Sequence, residues 1–353
     1  MNICLMTGAR PNFIKVAPLI HSIKHAQKNG RDVNYLLVYA GAENDPTLEG
    51  SLFDDLEMPR PDIYLGVTSH NVNEITGEVM QAFENYLNVH PTDCVIVVDD
   101  LASTMAAAIV AKKHGIRLAH LVAGTRSFDI NMPKEINRLV IDGLSDLLFT
   151  AGTGMGTTAD QSKIYVVGNI LMDTLRNNLP RFRRPALLDG FEDGKYAVLT
   201  INRKALLANQ ENLRQMLLVM SNQLEYMPVF IPLRKEAADV VAPLIDGLEN
   251  MHLVEPLSYL EFGYLTAHAQ VVITDSGNVA EEATFNGVPC VTLNNYTEHI
   301  ETVKQGTNIL VNEDPELLAK TLYDIIEGEP KNYSVPDRWD GRTADRILQI
   351  VCG

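Results

Sequence analysis

Between Val271 and Pro289 the chain reads VVITDSGNVAEEATFNGVP, and no other stretch constrains the fold as tightly. Val271 to Thr274 is a run of apolar and β-branched residues, the pattern of a strand buried on both faces of a parallel sheet. An Asp275-Ser276-Gly277 turn follows, and an amphipathic helix is predicted from near Asn278 to the stop at Gly287-Val288-Pro289. A strand that turns sharply into a helix leaves backbone N–H groups unpaired at the helix start. Together with the helix dipole they favour an anion such as a diphosphate. Glu281 and Glu282 come about one turn later, where a carboxylate can accept hydrogen bonds from two ribose hydroxyls. The plainer alternative is a capped crossover helix with no ligand.

Strand and helix patterns alternate along the chain. Strands are predicted over 2–6, 33–40, 94–98, 118–122, 147–150 and 164–167, and helices over 13–28, 72–87, 101–114, 134–145 and 170–178. The segment Leu179 to Ala186 is proline-rich and basic, and 189–195 is rich in glycine and acid; both read as linker or surface loop. Alternation then resumes with strands over 196–201, 229–232, 251–254, 271–274 and 290–293 and helices over 209–223, 237–248, 258–268 and 315–326. This is the pattern of an α/β protein with doubly wound parallel sheets. At 353 residues the chain is long enough for two domains. The expected division is residues 1–170, with helix 343–353 packing back on them, and 171–340. The two sheets are expected to face each other across a cleft at the carboxyl ends of their strands.

Composition narrows the partners. A formal net charge of −16 argues against nucleic acid and against an anionic membrane surface, so an anionic ligand must be held by local donors. No apolar run reaches the length of about 18 residues that a membrane helix needs, and the start MNICLMTGARPNFIK does not read as a signal peptide. Cys4, Cys94, Cys290 and Cys352 are far apart and read as reduced thiols. A cytoplasmic protein is expected. The histidines and acids show no metal-ligand spacing, so neither a metal nor a cofactor is expected.

Four stretches at predicted strand ends carry chemistry. In Thr7-Gly8-Ala9-Arg10-Pro11-Asn12-Phe13-Ile14-Lys15, glycine permits a tight turn and proline suits the first helical turn. Arg10 and Lys15 can then reach an anion at that helix N-terminus, the one with a planar fork and the other with a point charge. Val98-Asp99-Asp100 ends a strand with two carboxylates, either of which could instead cap the next helix. HLVAGTR, His120 to Arg126, ends the following strand, and MPKEINR, Met132 to Arg138, opens a helix with Glu135 in its first turn.

GARPNFIKVAPL, VVDDLAST, AHLVAGTRSFDINMPKEINR, VVGNILMDTL, TDSGNVAEEATFNGVPCVTLNNYTEH and WDGRTADRI occur in one order. As an ordered set they resemble the non-hydrolysing UDP-N-acetylglucosamine 2-epimerase family across essentially the whole chain. The resemblance implies the GT-B fold, with two Rossmann-like domains, a UDP-sugar in the cleft, and a homodimer. It also implies inversion of the sugar carbon bearing the acetamido group, by elimination and re-addition of UDP. On this likeness Arg10 and Lys15 hold phosphate, Ser276 and Gly277 hold the diphosphate, and Glu282 holds ribose. Asp100 and Glu135 are then the acid/base carboxylates, with Arg138 and Arg126 orienting or neutralising them.

The chain departs from the family pattern at functional positions. Val122 stands where the HxEAGxR stretch has its glutamate, and Asn202 replaces a histidine after the first strand of the second domain. Valine carries no proton, whereas asparagine can still donate a hydrogen bond to phosphate. Asn12 replaces the glutamate of GTRPE, His299 takes the place of the TERPE arginine beside the substrate, and Asn278 replaces a glycine of TDSGG. Tyr39 to Glu43 and Arg234 replace residues tied to allosteric UDP-sugar binding in bacterial members. Two alternatives to an active epimerase follow: a catalytically silent nucleotide-sugar binding protein, and a hydrolysing 2-epimerase.

Overall fold

The structure, a computed structural model, describes residues 1–152, 160–328 and 331–353. The chain divides into two compact units, Met1–Asn177 with Asp337–Gly353, and Asn178–Pro336.

Among the described residues the first unit contains β1 (Asn2–Thr7), β2 (Asn34–Gly41), β3 (Ile63–Val67), β4 (Cys94–Val98), β5 (Arg117–Leu121), β6 (Leu147–Thr150) and β7 (Ile164–Val166). All pair in parallel in the order β3-β2-β1-β4-β5-β6-β7. The second unit contains β8 (Ala197–Thr200), β9 (Val229–Pro232), β10 (Met251–Val254), β11 (Val271–Thr274), β12 (Cys290–Thr292) and β13 (Asn308–Leu310), in the order β10-β9-β8-β11-β12-β13. Each sheet starts at its centre and winds outward in both directions. The strand order therefore reverses between β1 and β4 in one unit and between β8 and β11 in the other. In open α/β sheets ligands bind at the carboxyl ends of strands flanking such a reversal.

Burial on both faces explains the unbroken apolar strands. In the second unit Leu199, Ile273 and Val291 pack with Met216, Met220, Leu318 and Leu322, while Val198, Val272 and Cys290 pack with Tyr196, Phe230, Leu265 and Ala280. Pairing is in register: Thr274 sits beside Thr200 and Thr292, so their strand ends are level. The final helix, Thr343–Cys352, lies against helix Arg10–Lys28, and the Ser22 hydroxyl donates to Asp345 at 2.7 Å.

Most predicted elements lie within two residues of their observed bounds. Among the described residues five α-helices and β-strands escaped prediction: helices Gly50–Asp55, Lys204–Ala208 and Ile300–Lys304 and strands β3 and β13. Each is six residues or shorter, too short to display a period, and β3 also carries Gly66 at φ +77°. The helix expected over 237–248 stops at Val241 because Pro243 cannot continue it, and the chain passes into a short 3₁₀ turn. Cys4, Cys94 and Cys290 are buried free thiols, each pushed up to about 12 by burial, which keeps them protonated and unreactive. No helix among the described residues is long and apolar enough to cross a membrane.

Candidate functional site

Two clusters stand at the strand reversals, one in each unit. In the first, β1 runs into Gly8 and Ala9, whose N–H groups donate to Asn12 Oδ1 at 2.9 and 3.2 Å. Asn12 lies in the first turn of the helix and so caps its own helix start, the reach-back that a capping-box residue makes. Its amide nitrogen donates to Asp99 Oδ2 at 2.8 Å, and Lys15 Nζ lies 2.6 Å from Asp99 Oδ1. A β-carbon on Gly8 would lie 2.0 Å from Ser103 Oγ, so only glycine lets this loop approach the helix after β4.

Asp99 adopts φ +59° at the end of β4, turning Asp100 in the direction of helix Pro133–Leu144. Asp100 Oδ2 receives Arg138 Nε at 2.8 Å and Nη2 at 2.6 Å, and Asn137 Nδ2 donates to the Asp100 carbonyl at 2.8 Å. Neither aspartate caps the helix after β4, whose N-cap Leu101 receives no side-chain bond. Glu135 Oε2 accepts Ser127 N at 2.8 Å, Ser127 Oγ at 2.9 Å and Arg138 Nη1 at 3.3 Å. Arg126 Nε stands 3.7 Å from the other Glu135 oxygen. Arg138 therefore bridges the two carboxylates. Burial works against the Glu135 carboxylate, but the Ser127 donors and the Arg138 guanidinium outweigh it and hold the acid below its ordinary range.

Helix Pro133–Leu144 carries Glu135, Arg138 and Asp142 at i, i+3 and i+7, one face of a helix, and all three are buried. Asp142 also receives Arg126 Nη2 at 2.6 Å and Gly124 N at 3.2 Å. Burial opposes its ionisation, and the His120 and Arg126 contacts win, lowering its pKa. Val122 lies in the turn that follows β5, half-buried, at φ +67°. A β-branched residue strongly disfavours that region, so the turn is imposed by its surroundings. Those include Ala123 N bonded to Phe149 O at 2.9 Å.

The second cluster has a different character. The helix Gly277–Asn286 begins directly after β11, and its N-cap Ser276 makes no side-chain cap bond. Its opening N–H groups and positive dipole end suit an anion. His299 lies across this helix start: a β-carbon on Gly277 would lie 2.3 Å from His299 Cδ2 and 2.5 Å from Nε2. Glu281, one turn in, sits 2.8 Å from His299 Nδ1. Asp275 is buried beneath the turn. Its Oδ2 accepts Asn202 N at 2.8 Å and Arg203 N at 2.7 Å, tying the end of β8 to that of β11. Asn294 Nδ2 donates to the Asp275 carbonyl at 3.1 Å. Asp275 Oδ1 and Asn294 Oδ1 are both buried without a hydrogen-bond partner. Burial raises the Asp275 pKa against the two backbone donors.

The structure thus brings Asp100, Glu135, Arg126 and Arg138 together, and links Lys15 to them through Asp99. Lys15 is buried in its ion pair, whereas Arg10 is half-buried with Nε 3.5 Å from Glu49 Oε2. In the second unit Ser276, Gly277 and His299 meet at one helix start, and Glu282 is buried on the same helix. The Asn202 side chain is exposed and its backbone belongs to the Asp275 turn; neighbouring Arg203 stacks on Tyr296 at 4.8 Å. The sequence reading passed over Asp142 and Glu281's link to His299. Asp142 had a signal, its i+7 spacing from Glu135 on one helix; the Glu281 contact had none.

Two Rossmann-like units, each with its polar cluster at the strand reversal, place the protein in the GT-B class of folds. A sequence model of the UDP-N-acetylglucosamine 2-epimerase family matches residues 25–352, and the chain belongs to that family. A UDP-N-acetylglucosamine 2-epimerase homolog of Methanococcus maripaludis is 34% identical, with 99% of each chain covered. A UDP-2,3-diacetamido-2,3-dideoxy-D-glucuronate 2-epimerase of Pseudomonas aeruginosa is 30% identical, again over 99% of each chain. The crystal structure of Methanocaldococcus jannaschii UDP-GlcNAc 2-epimerase in complex with UDP-GlcNAc and UDP matches with a TM-score of 0.86 and 30% identity. The match covers 100% of this chain and 99% of the other. Enzymes so named are isomerases.

Proposed function

We propose that the protein interconverts a UDP-linked 2-acetamido sugar, UDP-N-acetylglucosamine or a further modified relative, with its C2 epimer. The observation that carries this reading is the Arg138 bridge between Asp100 and Glu135, two carboxylates at one strand reversal. Glu135, held ionised, is suited to accept a proton rather than to donate one. In the proposed step a carboxylate takes the proton from sugar C2, the C–H electrons form the C1–C2 double bond, and the C1–O bond breaks with its pair leaving on UDP. The return step adds the UDP oxygen to C1 and delivers a proton to the opposite face of C2. The second unit holds the nucleotide: the uncapped helix start at Ser276 and Gly277 receives the diphosphate, and Glu282 the ribose. Support for that half comes from the glycine that admits His299 and from the M. jannaschii relative, which is described with UDP-GlcNAc and UDP. Lys15 acts through Asp99 in this reading, and Arg10 is the phosphate contact of the first unit.

A second reading has a specific observation behind it. Val122 can neither give nor take a proton, and loss of one acid/base group typically costs a factor of about 100 to 10,000 in rate. A nucleotide-sugar binding protein without turnover fits that loss. Incubation with UDP-N-acetylglucosamine in heavy water, followed by NMR, separates the readings. Deuterium at C2 with a manno product supports epimerisation, and free sugar with UDP marks a hydrolase. Binding in calorimetry with no exchange marks the silent protein and overturns the proposal.

A further inference from the structure

His120, in β5, is 1% exposed and faces an acceptor at each end of its ring. Nδ1 lies 2.5 Å from Asp142 Oδ1, and Nε2 lies 2.8 Å from the carbonyl oxygen of Asp99. A neutral imidazole has one N–H, so its bare nitrogen would oppose an oxygen lone pair at one of these contacts. Only the doubly protonated ring donates at both. A charge this deep needs a partner, and Asp142 supplies it, with Arg126 on its other oxygen.

The Nε2 contact reaches the candidate acid/base group. The Asp99 carbonyl belongs to the peptide that joins Asp99 to Asp100, and Asp99 sits at φ +59°, a region aspartate tolerates. On the other side Asn137 holds the Asp100 carbonyl. Both peptides flanking Asp100 are therefore pinned, and its carboxylate meets Arg138.

We propose that His120 is a positioning residue, held doubly protonated between Asp142 and the Asp99 carbonyl, which sets the peptide that aims the Asp100 carboxylate. The groups facing it are Asp142 from helix Pro133–Leu144 and Asp99 from the turn after β4, with Arg126 behind Asp142 from the loop after β5. Its catalytic consequence rests on the reading of Asp100 as an acid/base group. Its protonation and its hold on the peptide do not.

Three readouts test it. In long-range ¹H–¹⁵N NMR of the histidine-labelled protein, one ring is expected to show both nitrogens protonated, each with a slowly exchanging proton. A neutral-tautomer pattern for every ring at pH 7 overturns the protonation. His120→Gln keeps one donor and no charge, and its crystal structure is expected to show the Asp99–Asp100 peptide turned and Asp100 parted from Arg138. An unmoved peptide overturns the positioning role. In the same variant kcat is expected to fall about 10- to 100-fold, the cost of a misplaced group, while KM and the UDP dissociation constant stay within about twofold. Unchanged kcat with the peptide turned overturns the catalytic consequence alone. A wild-type protein without turnover sinks the epimerase reading alone, and the NMR and crystal results still decide this one.

Discussion

The two helix starts at the two strand reversals are built from similar loops and do opposite things. At the start of helix Arg10–Lys28 Asn12 takes up the N–H groups of Gly8 and Ala9, and Lys15 is neutralised by Asp99. At the start of helix Gly277–Asn286 Ser276 offers no side-chain cap, and two buried oxygens beneath the turn have no partner. In the first cluster Lys15, Arg126 and Arg138 each meet a carboxylate before any ligand arrives, and the buried Arg10 Nε at its edge is left without a hydrogen-bond partner. The second leaves its helix-start N–H groups without a side-chain acceptor. A fully paired network holds groups rigidly where charge develops in a reaction, whereas an uncapped helix start binds an anion that comes and goes. The proposed division, chemistry in the first unit and nucleotide binding in the second, rests on that difference.

The division can be broken most directly by removing the acids. Asp100→Asn and Glu135→Gln are each expected to lower deuterium exchange at C2 by about 100- to 10,000-fold, with the calorimetric affinity for UDP within about threefold. Loss of UDP binding in step with exchange would merge the two roles. Arg138→Met should cost about 3–5 kcal/mol of stability in urea unfolding, because it leaves buried carboxylates without their bridging cation. A neutral outcome would mean that the network is not preorganised by charge.

In the second cluster Gly277→Ala is expected to cost about 1–3 kcal/mol. The new methyl must displace an imidazole anchored by Glu281, and UDP affinity should fall with it. Acid sharpens the contrast. The folded pKa of Asp142 lies below its unfolded value, so its contribution is complete above the unfolded pKa of about 4 and is lost as pH falls through the folded value. The folded pKa of Asp275 is raised, so its contribution is complete below the unfolded value and is lost as pH rises through the folded one. Urea midpoints measured from pH 3 to pH 7 should therefore move in opposite senses when each is changed to asparagine. Each change should be on the order of 1 kcal/mol across the window. The smallest effect is expected at Val122. Val122→Asn places a residue that tolerates φ near +60° in the strained turn and should raise stability by about 1 kcal/mol.

Much of this was legible in the residues themselves. VVITDSG followed by an amphipathic run predicts β11 and its helix, and both are present at those positions. The alternation predicts two parallel sheets because buried strands and crossover helices have different hydrophobic periods. Glu135 and Arg138 could be paired by helix spacing alone. Lys15 could not be assigned in that way, since its counter-ion is 84 positions away in sequence and a free phosphate-binding lysine looks the same in a local reading. Asn12 reads as a lost acid in sequence, yet in the fold its amide caps one loop and donates to another, which a carboxylate could not do.

The sequence by itself determined the elements, their winding into parallel sheets and the strand ends where polar residues collect. Hydrophobic period and turn chemistry act over a few residues and are written locally. Only the tertiary structure decided which charges are already matched: Lys15 with Asp99, Arg138 with Asp100 as well as Glu135, and His120 between Asp142 and a backbone carbonyl. Ionic and hydrogen-bond partners are chosen by distance in space. Residues from the helix after β1, the turn after β4, β5 and a later helix become neighbours only after the sheet has brought its strand ends together.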